Sequence, residues 1–141
     1  MTCELCESDG GTIIWRDERV RVVRVADPDY PDFCRVIWND HVREMTDLAP
    51  TDRVHLLRVV LAVEGALRNL LNPAKINLAS LGNMTPHLHW HVIPRFEDDR
   101  HFPRPVWAEP LRKNLNNVSR PQVSNEILSG EVARILGSAL L

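Results

Sequence analysis

The sequence predicts an α+β protein: about five strands, one long helix and a C-terminal helix. Three observations carry this. Short β-branched runs recur between turn signals, one unbroken helical stretch separates the third run from the fourth, and the last apolar residues return to helical spacing. The 141 residues are 44% hydrophobic, enough for one core and too few for two full domains. A single domain over residues 1–141 is expected, with its core at about 1–100 and an irregular loop and C-terminal helix over 101–141. Seventeen basic residues against nineteen acidic ones exclude a nucleic-acid polymer binder working by bulk charge. The longest apolar run, Val59 to Val63, is far short of the roughly 20 residues of a membrane span. The acidic N-terminus has no apolar signal region, so a cytoplasmic protein without membrane contact is expected.

Each element follows from local chemistry. Asp9-Gly10-Gly11 is a turn signal ahead of two β-branched runs, Thr12–Asp17 and Val20–Val25, which read as strands. Asp27 to Asp32, with two prolines and three aspartates, forms a loop. Cys34–Trp38 is the third strand. Thr51 is placed to cap the long helix and Asp52 to favour its positive end, and Asn72-Pro73 stops it after Leu71. Val54, Leu57, Leu61 and Leu67 form its expected buried stripe, with Arg58, Glu64, Arg68 and Asn72 on the other side. Lys75–Leu81 is the fourth strand, Gly82 to Pro86 a tight loop, and His87–Arg95 the fifth strand. The proline-bearing stretch from Arg95 to Asn117 is irregular. Ser124–Leu141 is helical, with Ile127, Leu128, Val132, Ile135, Leu136 and Leu140 on its apolar side.

The segment His87-Leu88-His89-Trp90-His91 is the most informative. Strand alternation puts three imidazoles on one face and Leu88, Trp90 and Val92 on the core side. Such a row can bind metal or handle a charged substrate with one imidazole as nucleophile or base. His87 and His91 would be roughly 13 Å apart along the strand, so one zinc can take two neighbours of the row and leaves an imidazole free. Cys3-Glu-Leu-Cys6 is a weak zinc signal by itself and needs two further ligands; His41, after the third strand, and His87 are the natural pair. Cys34 suits a buried small hydrophobe. His55 and His101 have no evident partner, and Arg95 and Arg104 read as solvated side chains.

The pattern His87-x-His89-x-His91-x-x-Pro94-Arg95, the preceding Gly82-Asn83 loop, the loop-then-strand of Pro31 to Trp38 and the Asn39-Asp40-His41 segment resemble the histidine triad (HIT) superfamily of nucleotide hydrolases and transferases. Within it they resemble bacterial proteins of the diadenosine tetraphosphate hydrolase type. The resemblance covers about residues 1–100 and implies a five-stranded antiparallel HIT-like sheet. It implies that His89 attacks an α-phosphate, oriented by a backbone carbonyl at its other nitrogen, and that water cleaves the nucleotidyl-histidine. His91 would stand by the phosphate oxygens and leaving group. Asn77, Asn83 and His87 would line the phosphate site, and Asp27 is the candidate ribose ligand. The substrate would be a nucleotide phosphoanhydride or phosphoramidate, in the most concrete version a dinucleoside polyphosphate. A homodimer through the long helix and neighbouring strand is implied. So is a structural zinc on Cys3, Cys6, His41 and His87, with no organic cofactor, as in the galactose-1-phosphate uridylyltransferase branch. Phe33 departs from the pattern, because many members carry there a histidine in contact with the row. That departure motivates a second reading, a nucleotide-binding or interaction module without turnover. A third is a metal-dependent hydrolase that holds an open zinc on the row.

Overall fold

Alternating short runs build one antiparallel sheet. In the computed structural model, which describes residues 2–113 and 123–138, the strands are β1 (Thr12–Arg16), β2 (Val20–Arg24), β3 (Cys34–Trp38), β4 (Lys75–Ala79) and β5 (His89–Arg95). They are arranged in the order β1-β2-β3-β5-β4. A four-residue helix, α1 (Glu4–Glu7), precedes them. The long helix α2 (Pro50–Leu71) separates β3 from β4, and α3 (Asn125–Leu136) follows. The expected α+β class and antiparallel sheet are borne out. Residues 114–117 of the predicted loop, and Leu140 with its neighbours at the end of the last predicted helix, lie outside the described residues.

The register decides what each face carries. Val20, Val22, Cys34, Val36, Trp38 and Val92 face the helices in one core with Leu56, Val59, Val63, Leu67, Leu128 and Val132. The reverse face carries Arg21, Val23, Arg35, Ile37, His89, His91 and Ile93, brought side by side by the pairs Arg21↔Ile37, Ile37↔His89 and Arg35↔His91. Its β1 end is covered by Leu5 of α1, packed on Val23 and Ile37. Arg21 fixes that cover, donating to the carbonyls of Leu5 (2.6 Å), Asp9 (3.0 Å) and Ser8 (3.2 Å). Gly11 lets the chain pass close to β2, since a Cβ there would stand 2.5 Å from the Arg24 carbonyl oxygen.

Two expectations for α2 are corrected. Its N-cap is Ala49, with Pro50 at the first helical position and Thr51 inside the helix. Proline presets φ and lacks the N–H that a side-chain cap would satisfy. The buried side is Leu56, Val59, Val60, Ala62, Val63, Ala66, Leu67 and Leu71, whereas Val54, Leu57 and Leu61 are exposed. Apolar residues lie on both sides of this helix, so spacing alone could not select the face the sheet would take. Asn72, in the left-handed region at φ 47°, ends the helix as expected. Ser124 caps α3 by accepting the Ile127 N–H at 3.1 Å.

Candidate active site

The histidine row divides. β5 begins at His89, and His87 stands just before it with its side chain 1% exposed. The Nε2–H of His87 donates to the Trp38 carbonyl at 2.6 Å, since a carbonyl can only accept. The lone pair on Nδ1 is therefore left facing Cys3 Sγ at 3.4 Å, Cys6 Sγ at 3.5 Å and His41 Nδ1 at 3.2 Å, with Cys6 Sγ 3.4 Å from His41 Nδ1. A tetrahedron with the usual Zn–N and Zn–S lengths has N···N edges of about 3.3 Å and S···N edges of about 3.6 Å. The four donors, all within 4.8 Å of one another, thus match the size and chemistry of a Cys₂His₂ centre. A backbone carbonyl fixes the His87 tautomer, as in established metal sites. The resemblance-based ligand set is brought together, so the face of β5 itself keeps two imidazoles, not three.

His89 and His91 lie with ring centroids 4.9 Å apart. The Nδ1–H of His89 donates to the His87 carbonyl at 2.6 Å, so a neutral ring keeps its lone pair on Nε2. Burial pushes the His89 pKa down from the ordinary histidine value. His91 falls to about 4, through burial first and then the adjoining His89 and Arg35. Phe33 presents its ring edge-on to His91 with centroids 5.6 Å apart, Trp107 approaches from another side at 5.1 Å, and His91 Nδ1 is buried without a hydrogen-bond partner. The phenyl ring offers no nitrogen where a histidine would.

A cavity of about 280 Å³ opens beside these rings, lined by His89, His91, Arg35, Trp107 and the loop that carries Gly82, Asn83 and Thr85. Asn83 is therefore placed with the row. Asn77 lines a neighbouring groove of about 800 Å³ that shares Trp107 and is bordered by Arg95. Its Oδ1 accepts from Arg95 Nη1 at 2.8 Å, which leaves its NH₂ as the free donor. Asp27 accepts the Asp29 N–H through Oδ1 at 2.9 Å and lines neither the cavity nor the groove.

Arg95, expected to be solvated, is not, whereas Arg104 is exposed as expected, and His55 and His101 have partners the sequence did not show. Arg95 is 2% exposed and donates to both carboxylate oxygens of Asp99, at 2.8 and 3.0 Å, and to the Arg104 carbonyl at 2.7 Å. Burial works to raise the Asp99 pKa, but Arg95 and the N–H groups of Phe96, Phe102 and His101 hold it at about 2. His101 meets the Tyr30 hydroxyl at 2.6 Å, and His55 meets Asp17 at 2.7 Å. Sequence reasoning passed over Arg35 and Trp107 as site residues. A charge in the middle of the apolar run Cys34–Trp38 was the available signal for Arg35.

Residues 8–98 match the family model of the HIT domain. Among solved structures, a histidine triad protein of Bradyrhizobium japonicum is 24% identical, with a TM-score of 0.71 over 96% of this chain and 97% of that one. One from Sinorhizobium meliloti is 26% identical, with a TM-score of 0.68 over 96% and 94%. One from Marinobacter aquaeolei is 22% identical, with a TM-score of 0.69 over 96% and 95%. No curated protein matches.

Proposed function

The chain belongs to the HIT-domain family, and from that membership and the setting of His89 we propose a nucleotide hydrolase or nucleotidyl transferase working through a nucleotidyl-histidine. One observation carries the reading. The His87 carbonyl takes the Nδ1–H of His89 at 2.6 Å and so leaves an unprotonated Nε2 on a rigid strand beside a cavity. Its lone pair attacks the α-phosphorus, forming a P–N bond. The bond from phosphorus to the leaving group breaks, and that group departs with the electron pair and takes a proton from solvent. Water then attacks the same phosphorus and gives up a proton to solvent, the P–N electrons return to Nε2, and a nucleotide is released. Splitting one difficult displacement into two suits a nucleophile that needs no deprotonation. His91, held neutral, stands by the phosphate oxygens and the leaving group, and the Asn83 amide is placed to donate to an oxygen that gains charge.

Cys3, Cys6, His41 and His87 would hold a zinc ion. With four protein donors and no open position, its contribution is a cross-link between the N-terminal segment and the sheet. The ligand set takes His87 and leaves His89 and His91 out, which does not favour the reading of an open metal on the row. A dinucleoside polyphosphate is the substrate form we propose, with cavity and groove meeting at Trp107 to take a long ligand. A homodimer is proposed through the exposed stripe of Val54, Leu57 and Leu61 and the edge strand β4 with Leu78. Among the described residues no helix is long and apolar enough to cross a membrane.

The test is rapid quench with a nucleotide labelled at its α-phosphate. An acid-labile adduct is expected on the wild-type protein, and His89→Ala should lower turnover by at least about 10³-fold. Absence of the adduct together with unchanged turnover in His89→Ala sinks the mechanism. Nucleotide binding without any turnover favours the binding-module reading, for which the buried, unpartnered His91 Nδ1 beside Phe33 is the supporting observation.

A further inference from the structure

Four arginines share the sheet face that carries His89 and His91: Arg16, exposed at the end of β1, and three that stand closer to the row, Arg21 from β2, Arg35 from β3 and Arg95 from β5. Two of these three are saturated by the protein. Arg21 bonds three carbonyls and Asn39, and Arg95 bonds Asp99, Asn77 and the Arg104 carbonyl. Arg35, between them, has no ion-pair partner among the described residues, and its Nε is buried without a hydrogen-bond acceptor. Arg24 and Arg100 also leave Nε unpaired, but each places its terminal nitrogens on a carboxylate, Asp32 and Asp29. A guanidinium cannot escape burial by losing its proton, and its planar fork matches phosphate and carboxylate oxygens. The cavity that Arg35 lines contains no carboxylate, so its formal charge is the one on this side chain.

We propose that Arg35 binds an anionic group of the substrate other than the phosphate attacked by His89, so that the site selects ligands carrying a second phosphate. This rests on the reading of His89 as the attacking group. In register Arg35 faces His91, whereas His89 faces Ile37. Arg35 therefore acts two residues along β5 from His89, about 6–7 Å, a step to the neighbouring phosphate of a chain. His91 stands level with Arg35, its ring centroid 4.9 Å from that of His89. Trp107, 53% exposed and packed against His91, stands where this cavity meets the neighbouring groove.

The experiment is titration calorimetry of the full chain with AMP and with ADP, on wild type, Arg35→Leu and Arg35→Lys, alongside turnover of a nucleoside phosphoramidate and of a dinucleoside polyphosphate. Wild type should bind ADP more tightly than AMP. Arg35→Leu should weaken ADP binding about 10–100-fold and AMP binding by less than about 3-fold. Arg35→Lys should fall between, because a point charge keeps attraction and loses the fork. In turnover the loss should appear mainly in KM and mainly for the polyphosphate. Equal losses for both nucleotides, no loss for either, or no nucleotide binding by the wild-type protein overturns the proposal. Thermal melts show whether Arg35→Leu folds, and Arg35→Lys retains the charge if it does not. If ADP binding depends on Arg35 while no nucleotide is turned over, the role of Arg35 stands and the catalytic reading of His89 fails.

Discussion

β5 is fastened at both ends, and the two fastenings differ in chemistry. Before its first residue, His87 joins His41 and two thiols from the N-terminal segment in a cluster sized for a tetrahedral cation. At its last residue, Arg95 joins Asp99 in a buried pair, their side chains 3% and 2% exposed, with Asn77 on the same guanidinium and Tyr30 and His101 on the carboxylate side. Between them His89 has one backbone hydrogen bond and His91 Nδ1 has none. The middle, where His89 and His91 stand, has few side-chain partners, and its position is set from outside by the groups at the two ends. With the zinc proposed above, one end would hold only with a cation and deprotonated thiols. The other holds with charges the chain always carries at neutral pH.

The largest effect should come from breaking the cysteine end. Replacing Cys3 and Cys6 by Ser removes two of four donors, and several kcal/mol of stability should go with the metal, lowering Tm by about 10 °C or more. Chelation of wild type should reproduce the drop, and elemental analysis should find one zinc that the double variant lacks. An unchanged Tm on chelation would break the comparison. At the arginine end, Asp99→Ala leaves Arg95 buried without its carboxylate, which typically costs about 3–5 kcal/mol. Urea denaturation should show that loss with and without chelator. A loss that vanishes in chelator would mean the two ends are one unit.

The two ends were unequally legible in the sequence. C-x-x-C is a local signal, and together with the histidines after the third strand and at the head of the fifth it named the four residues whose donor atoms the fold brings within 4.8 Å of one another. Arg95 and Asp99 are four residues apart in a strand-to-loop turn, where no period brings i and i+4 together, so the pair could not be read. Tyr30 and His101 meet across 71 residues, a contact that only the fold creates. The strands were readable because Val20–Arg24 and Cys34–Trp38 are short, largely apolar and β-branched runs bounded by turn signals, and because the histidine segment alternates. The α2 face was not, because Val54, Leu57 and Leu61 mimic a buried stripe on a helix whose other side is equally apolar. Arg35 was visible as a charge in an apolar strand, but its lack of a partner is a property of the assembled sheet.

The smallest effect, and the one that separates the two ends most finely, is their response to acid. Asp99 is held at about 2 against about 3.9 for an unperturbed aspartate. The unfolded chain therefore binds more protons than the folded one between these values, and stability rises with pH there. The contribution is full above about pH 4 and is lost as pH falls toward 2. It is worth about 2 kcal/mol. The cysteine end should fail earlier, because protons compete with the metal for thiolates and imidazoles well above pH 4. His91, at about 4 when folded against about 6.5 unfolded, also costs stability as pH falls through that interval. It does so equally whatever stands at position 99. The difference between wild type and Asp99→Asn isolates the arginine end. In urea titrations from pH 7 down to 2.5, the two proteins should run parallel to about pH 4. The gap between them should then close, because only wild type has a carboxylate left to protonate. A gap that stays constant below pH 4 would show that Asp99 gains nothing from its charge. The arginine end would then be held by hydrogen bonding and packing alone.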